Sequence, residues 1–499
     1  MLLKTSVIYA QGSTAIGTNV KPIKSNEHDV DLIALLPDAK PSMQPGLVKQ
    51  LVGDRIRENG RYRPILEEKQ RCWRIVYANE FHLDITPSIP NPHCPNGGEL
   101  VPDKSLSQWK PSNPKGFRDK FDERSKLVPL LRVEKAMQVN RYTADSSVEP
   151  FPTNSGAKGV LRRTVQILKR HRDVAFEKQD LSLAPLSVII TQLAARSYEY
   201  CCRQWTFDNE LDLLLSIVKF MPMFIEKEVF EGRTHYFIWN ETTHGENFAE
   251  KWNVEPARRD AFYRWHRKAE ADLSRLIEMD GLDELVGELR HSLGDGVVEK
   301  ALNAYTGRIS EARSTGKLGV AAGVGLVMGV AKATPVRANT FFGAPDEPSL
   351  SAAQQLLHLR RSEVYPGIGS VVRGRLTWRM SRRPFPLARE YDLRLVYQEG
   401  ETPQLFVDRP DLVLLAEGDK LPHVYSQRPT RLCLYWPKAR EWTPSDRLDL
   451  TFLPWMDTWL YYFEDWMAGG REEWQGGGEH PDPSEASSRE RRRALRQFA

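Results

Sequence analysis

The period of the hydrophobic pattern changes three times along this chain, and this feature constrains the fold most. Apolar residues first recur with strand character, in short runs at residues 6–10, 30–36, 72–77 and 80–85. Helical spacing follows from residue 158 to 200, with Leu161, Val165 and Leu168 on one face, and helical character continues to about residue 331. Strand character then returns at residues 373–380, 391–397 and 404–407, before a helix-like aromatic run at 455–467. The pattern predicts an α+β protein.

A chain of 499 residues is too long for one hydrophobic core, so several domains are expected. Residues 334–351 are rich in Pro, Gly, Ala and Asp, which is typical of a linker. The remaining boundaries follow the changes of period. We expect a sheet domain at residues 1–115, a helical domain at 116–333, the linker, a smaller α+β domain at 352–481, and a mobile charged tail at 482–499.

Charge and cysteine content exclude several classes of protein. The formal net charge is only +4, which does not argue for an obligate nucleic-acid partner. The five cysteines have no CxxC spacing and an odd count, so neither a zinc site nor a disulfide framework is expected, and a cytoplasmic setting is natural. The apolar run at residues 320–330 is about half of the roughly 20 residues that span a bilayer. It is predicted to be a buried or interfacial helix, and no membrane association is expected.

Three short pieces of the first domain fit one chemistry. Gly12 and Ser13 follow the first strand, where backbone amides and a hydroxyl can contact a phosphate. Asp29 and Asp31 begin an apolar strand, so that both carboxylates point to the same face. Asp84 is a lone acid between apolar residues on a later strand. Each piece also has an ordinary structural explanation: a turn, two solvated acids at a strand end, and an edge residue or cap.

Taken together, the three carboxylates predict a metal site. Neighbouring carboxylates repel each other, and a hard cation relieves that repulsion. Two Mg²⁺ ions held by Asp29, Asp31 and Asp84, with Mn²⁺ as an alternative, would clamp a triphosphate and lower the pKa of an attacking hydroxyl. Asp84 is expected to serve as general base as well as ligand.

In order and spacing, these motifs resemble the bacterial cyclic-oligonucleotide synthases, the cGAS/DncV-like nucleotidyltransferases of the polymerase-beta-like superfamily. The resemblance runs from about residue 6 to 343 and includes Trp109 with Ser112-Asn113-Pro114, the basic helix around Lys169, and Pro185-Leu186-Ser187. Asn339-Thr340-Phe341-Phe342-Gly343 resembles the tail that usually ends such proteins. Family members carry a helix before the first strand, whereas here that strand starts about five residues from Met1. Either the start is truncated or another part of the chain covers that flank.

The resemblance implies synthesis of a cyclic di- or trinucleotide from nucleoside triphosphates, as an alarm signal in anti-phage defence. It also implies a downstream effector protein that the cyclic nucleotide activates. By the same resemblance, Lys169 and Ser187 would contact the donor phosphates or sugar. A solvated helix lysine and a helix-start serine are the structural alternatives for these two residues.

The C-terminal domain suggests a second chemistry, centred on Cys433. A lone cysteine between two leucines is ordinarily a core residue. Here His423 lies ten residues earlier and Trp442-Thr443-Pro444 follows, in a strand-rich stretch that resembles a ubiquitin-conjugating enzyme over about residues 352–481. That resemblance implies a thioester-forming Cys433 and a protein conjugation target. His423-Val424-Tyr425 replaces the usual His-Pro-Asn, so the asparagine amide is absent, and the Tyr425 hydroxyl is a candidate substitute.

Three functional hypotheses remain from the sequence. The first is a synthase fused to a conjugating domain that regulates it. The second is a transferase of the same superfamily that tails RNA without a template or modifies nucleotides, for which the modest net charge is unfavourable. The third is a nucleotide-binding scaffold whose C-terminal domain is only structural.

Overall fold

The computed structural model describes residues 5–21, 23, 28–77, 81–103, 105–132, 159–330, 332–337, 348–435 and 441–476. The chain forms two compact units, Met1–Arg275 and Leu276–Ala499. Both helices and strands occur in each unit, so the α+β class predicted from the sequence is confirmed. Within the described residues, no helix is long and apolar enough to cross a membrane.

The first half of the N-terminal unit is a mixed sheet with helices against it. Its elements are β1 (Val7–Ala10), α1 (Gly12–Ile16), β2 (His28–Leu35), α2 (Pro45–Arg57), β3 (Leu66–Glu68), β4 (Trp73–Tyr77), β5 (Phe81–Pro90), β6 (Glu99–Pro102), β7 (Trp109–Ser112) and α3 (Pro114–Ser125). The main strand order is β1-β2-β5-β4-β3, and β6 joins β5 to β7. Strands β2 and β5 are parallel, whereas β4 runs antiparallel to β5.

The two faces of this sheet have different characters, because successive side chains of a strand point to opposite sides. One face buries Ala34, Ile75 and Ile85 in a common core with Val48 and Val52 of α2. The opposite face of β2 and β5 carries Asp29, Asp31 and Asp84. The apolar face therefore fixes the register that places these acids on the other side.

The second half of the N-terminal unit is mainly helical. Its elements are β8 (Leu130–Leu131), α4 (Val160–Ala175), α5 (Ser187–Gln204), β9 (Thr206–Phe207), α6 (Glu210–Phe220), the hairpin strands β10 (Glu226–Phe230) and β11 (Arg233–Phe237), α7 (Glu250–Val254) and α8 (Pro256–Arg275). Leu161, Val165 and Leu168 of α4 are fully buried, which confirms the predicted apolar face. This helix also turns polar side chains toward the loop after α1, as described below.

The C-terminal unit surrounds a second sheet and one buried helix. Its elements are α9 (Leu282–Leu293), α10 (Asp295–Ser314), β12 (Leu318–Ala321), β13 (Gly325–Met328), β14 (Thr334–Pro335), α11 (Ala352–Arg361), β15 (Ile368–Val372), β16 (Arg375–Arg382), β17 (Tyr391–Gln398), β18 (Gln404–Arg409), α12 (Leu412–Leu415), β19 (Val424–Ser426), β20 (Thr430–Leu432) and α13 (Phe452–Ala468). The strand order of its larger sheet is β15-β16-β17-β18-β20-β19.

Helix α13 is apolar on all sides and is buried along its whole length. Two acids on it are nevertheless fully buried, and each has charged or polar partners. The guanidinium of Arg382 donates to both oxygens of Asp457, at 2.8 Å each. Glu464 accepts from Arg389 and from the Tyr391 hydroxyl. These contacts satisfy charges that would otherwise be costly in the core.

Two expectations differ from the structure. The run at residues 320–330, predicted to be a helix, forms the hairpin of β12 and β13, and that prediction was wrong. Gly323 and Gly325 adopt positive φ in its turn, which a helix does not allow. The structure also groups the helices after Arg275 with the C-terminal unit rather than with residues 116–275, because Leu282 and Val298 lie in the core of that unit.

The predicted linker at residues 334–351 begins with a short strand. Thr334 and Pro335 form β14, which pairs with β12, and Val336 is buried. Residues 338–347, which include the tail-like segment ending at Gly343, lie outside the described residues, as does the predicted tail at 482–499. The bounds of the domain at 352–481 stay a prediction.

Candidate functional site

The strand register places two of the three predicted acids beside each other. Asp31 of β2 is the direct partner of Asp84 on the parallel strand β5, and Asp29 lies two residues earlier on β2. Asp29 is largely exposed, whereas the Asp84 side chain is 16% exposed. Two neighbouring acids of β2 and a third acid from a strand much later in the sequence therefore share one face of the sheet.

The charge at this face is incompletely balanced. The pKa of Asp31 is raised to about 6, first because the side chain is buried and then because Asp84 and Asp29 add negative charge nearby. Arg74 and Lys169 act in the opposite direction on the same carboxyl. Hard carboxylate oxygens with uncompensated negative charge are the donor set that Mg²⁺ or Mn²⁺ prefers.

Arg74 is the residue that the sequence argument missed. It pairs with Asp84 in the antiparallel register of β4 and β5. Its Nε and Nη2 donate to the two Asp84 oxygens at 2.6 and 2.7 Å, and Nη2 lies 3.7 Å from Asp29 Oδ1. As the side chains stand, no group of three or more His, Cys, Asp or Glu in the described chain could hold a metal ion. The signal in the sequence was a lone arginine in the apolar run Trp73–Tyr77.

The predicted phosphate loop lies against the same acids. Gly12 adopts positive φ, and a Cβ there would come within 3.0 Å of Asp31 Oδ2, so only glycine fits without displacing that carboxylate. The backbone N–H of Gln11 donates to the Asp31 carbonyl at 2.9 Å. Ser13 lies in the short helix α1 rather than in a plain turn.

Helix α4 holds the chain that follows α1 by a row of side-chain donors. Each of these donors bonds to a main-chain carbonyl: Arg162 to Ile16 at 2.9 Å, Lys169 to Thr18 at 3.1 Å, Gln166 to Asn19 at 2.6 Å and Arg170 to Lys21 at 2.6 Å. Gln166 lies four residues after Arg162, and Lys169 and Arg170 lie three and four residues after Gln166, so the donors share one face of the helix. This face fixes the path of residues 16–21, which follow Gly12 and Ser13.

Lys169 and Ser187 were predicted to contact nucleotide, and the structure gives each an internal partner. Lys169 is buried, and burial lowers its pKa to about 8, with the Arg172 charge adding to the effect. Ser187 begins α5, and its hydroxyl accepts from Arg172 Nη1 at 3.2 Å. Contact of either residue with nucleotide stays a prediction.

Cys433 lies beside a cavity of about 60 Å³ in the C-terminal unit, and His423 lines the same cavity. The two residues are tied through the main chain, because the Cys433 N–H donates to the His423 carbonyl at 3.0 Å. The His423 ring stacks on Trp474 with centroids 5.2 Å apart. The cavity is lined mainly by aromatic rings and by Arg313 and Arg337.

The Cys433 thiol is buried, which raises its pKa, while a hydrogen bond with Tyr425 acts in the opposite direction. The one O–H of Tyr425 donates to the Tyr435 carbonyl at 3.1 Å. Tyr425 therefore lies beside the thiol with its donor engaged by the main chain, and its role in place of the missing asparagine stays a prediction.

Comparison with known protein families finds one match in each of the two units. The Second Messenger Oligonucleotide or Dinucleotide Synthetase domain, SMODS, matches residues 3–125, and the Type II CBASS E2 protein family matches residues 355–481. Residues 3–125 are therefore similar to a SMODS domain, and residues 355–481 are similar to a CBASS E2 protein. The cGAS/DncV-like and conjugating-enzyme-like assignments made from the sequence are thereby confirmed.

Individual proteins are also similar to this chain. A c-di-GMP synthase of Roseivirga ehrenbergii is 28% identical over 336 residues, covering 67% of this chain and 85% of that protein. The cyclic dinucleotide synthase CdnG of Bradyrhizobium diazoefficiens is 24% identical, covering 61% of this chain and 74% of that protein. A structure of the Bradyrhizobium CdnG in complex with GTP covers 61% of this chain and 88% of that chain, at 19% identity and a TM-score of 0.43.

Proposed function

We propose that the N-terminal unit, Met1–Arg275, joins nucleoside triphosphates into a cyclic di- or trinucleotide, a second messenger of anti-phage defence. We call it the SMODS unit, because its residues 3–125 match that domain. The observation that carries this proposal is the in-register pairing of Asp31 with Asp84 inside a domain matched as a SMODS nucleotidyltransferase. The names of both relatives point to cyclic dinucleotides, and one names c-di-GMP, so GTP is the first substrate to test.

Each residue of the site has a proposed task. Asp29, Asp31 and Asp84 would hold two Mg²⁺ ions, which when bound neutralise triphosphate charge and lower the pKa of an attacking hydroxyl. Asp84, as the proposed general base, accepts the proton of that hydroxyl. Gly12 leaves room for the donor triphosphate to approach Asp31, and the Ser13 hydroxyl donates to a phosphate oxygen. The α4 donors, including Lys169, hold this loop in place.

The decisive experiment is product analysis. The purified protein is incubated with all four nucleoside triphosphates and Mg²⁺ or Mn²⁺, treated with phosphatase, and examined by mass spectrometry. We expect a phosphatase-resistant cyclic product, and its loss when Asp29 and Asp31 are both replaced by Ala. Asp119→Ala is the matched control, because Asp119 is an exposed acid on α3 that pairs with Arg118. Extended RNA would instead favour the tailing transferase, and full activity of the double variant would refute the metal assignment.

The C-terminal unit, Leu276–Ala499, supports a second proposed activity, acyl transfer through Cys433. We call it the CBASS E2 unit, because its residues 355–481 match that family. The Cys433 sulfur would form a bond to the carbonyl carbon of an activated C-terminal carboxylate, supplied as an acyl adenylate or thioester, while the bond to its leaving group breaks and the thiol proton passes to solvent. The cavity beside Cys433 and the neighbouring Tyr425 hydroxyl favour acyl transfer over a purely structural role of this unit. By transferring the acyl group to a protein target, this unit would regulate the synthase.

A thioester at Cys433 is tested by mass spectrometry of protein exposed to cell extract in the presence of a phosphine reductant, with and without hydroxylamine. We expect an adduct that survives the phosphine, that hydroxylamine removes, and that is missing from Cys433→Ala. Cys202→Ala is the matched control, because Cys202 is a half-buried cysteine of the SMODS unit. If the wild-type protein carries no such adduct, the E2 unit has only a structural role.

The setting of these reactions follows from the same proposal. All five cysteines are free, and a reducing cytoplasm would keep them so. An effector protein that binds the cyclic nucleotide would act downstream.

A further inference from the structure

A guanidinium lies inside the group of acids at the SMODS site. Arg74, Asp84 and Asp31 are consecutive partners across the neighbouring strands β4, β5 and β2, so their side chains leave the sheet on the same face. Arg74 forks onto both Asp84 oxygens and also approaches Asp29. One arginine therefore contacts two of the three proposed metal ligands.

The contacts of Arg74 differ from those of an arginine that only holds two strands together. Its side chain is 24% exposed, and in the described part of the chain its hydrogen bonds go to the oxygens of Asp84. By contrast, Arg162 combines an ion pair with Asp122 and a bond to the Ile16 carbonyl, as expected of an arginine that anchors the backbone. Arg74 is placed to neutralise acids rather than to tie main chain together.

We infer that Arg74 is a resident counter-ion of the site, which holds Asp84 in the metal-free protein and competes with the divalent cation for its oxygens. The lone pairs that accept the guanidinium fork are the ones a metal ion needs. Entry of the cation therefore requires Arg74 to leave Asp84. The inference rests on the proposed function, because it takes Asp84 to be a metal ligand.

The competition has a measurable size. A unit charge about 5 Å from a divalent ion changes its affinity by about tenfold even at the dielectric constant of water. Removing the charge of Arg74 should therefore tighten binding of a divalent ion by at least about tenfold. An arginine that merely held Asp84 in a ligating position would give the opposite sign, since its removal would weaken binding.

The test measures Mn²⁺ affinity of the full chain without nucleotide, from the electron paramagnetic resonance signal of the free ion. Arg74→Gln removes the charge, and Arg74→Lys keeps it but cannot form the two-pronged contact. We expect affinity to rise in the order wild type, Arg74→Lys, Arg74→Gln. Arg55→Gln is the matched control and should bind like wild type, because Arg55 is exposed and pairs with Glu58 on α2.

Equal or weaker Mn²⁺ binding by the Arg74 variants overturns the inference. Circular dichroism establishes which variants are folded, and if Arg74→Gln is not, the sign of the change in Arg74→Lys decides. If no protein binds Mn²⁺ while cyclic products still form in the separate product assay, the inference fails and the proposed synthase stands. If neither binding nor products are found, the proposed function fails as well.

Discussion

Replacing Asp31 by Asn should stabilise the metal-free protein at neutral pH. The pKa of Asp31 rises from 3.8 to about 6 in the folded chain, chiefly through burial and then through the charges of Asp84 and Asp29. Each pKa unit is worth about 1.4 kcal/mol, so the ionised carboxylate costs the folded state up to about 3 kcal/mol. Because Asp31 keeps some contact with solvent, a gain of about 1–2 kcal/mol is the practical expectation.

The difference in stability between wild type and Asp31→Asn should depend on pH. Below pH 3.8 the carboxyl is protonated in both folded and unfolded chains, and Asp and Asn should then be nearly equivalent. Between pH 3.8 and 6 the unfolded chain releases its proton while the folded chain retains it, so wild-type stability falls relative to the variant. Above pH 6 the difference should be at its full value.

Urea unfolding in the presence of a chelator, repeated from pH 4 to 8, measures the free energy of unfolding of both proteins. Hydrogen exchange of peptides from β2 and β5 assigns the change to this sheet. Asp119→Asn is the control and should show little difference at any pH, since Asp119 is exposed. A variant less stable than wild type at pH 8, or a difference independent of pH, would refute the electrostatic reasoning.

Three further predictions concern other groups. Burial lowers the pKa of Lys169 to about 8, so its ammonium loses a proton above that pH. The initial rate of nucleotide transfer should therefore fall above pH 8 in the wild type and be sustained to higher pH in Lys169→Arg, and coincident pH profiles would contradict this. Arg382→Met leaves the Asp457 carboxylate buried without its ion-pair partner and should lower the free energy of unfolding in urea by about 3–5 kcal/mol. A decrease below about 1 kcal/mol would argue against a stabilising ion pair. Alkylation of Cys433 by iodoacetamide at pH 7.5 should be slow, since burial raises the pKa of the thiol. Trp474→Ala should accelerate the alkylation about tenfold by opening the cavity, and an unchanged rate would show that Trp474 does not limit access to the thiol.

Local patterns in the sequence were sufficient to predict the strands and helices that bury one face. The alternation around Asp29 and Asp31 predicted a strand with both acids on one side, and β2 has this form. The helical spacing of Leu161, Val165 and Leu168 predicted α4, because 3.6 residues per turn bring these positions onto one apolar stripe.

Glycine-rich and polar stretches gave weaker predictions. Residues 320–330 are apolar enough for a buried helix, but Gly323 and Gly325 favour the turn of a hairpin. Whether such a run becomes helix or strand depends on the neighbour it packs against, which periodicity alone does not reveal. Periodicity alone also did not reveal that the apolar faces of α9 and α10 belong to the core of the C-terminal unit.

The sequence by itself determined which side chains are the candidates for the chemistry: the acids at 29, 31 and 84, the glycine at 12, and the cysteine ten residues after His423. Only the tertiary structure decided what stands next to them. Strand register brought Arg74 onto Asp84, and helix α4 brought its donors onto the loop after α1. A residue's type and spacing are local properties of the chain, whereas its partners are set by the packing of distant segments, and partners decide charge, pKa and access.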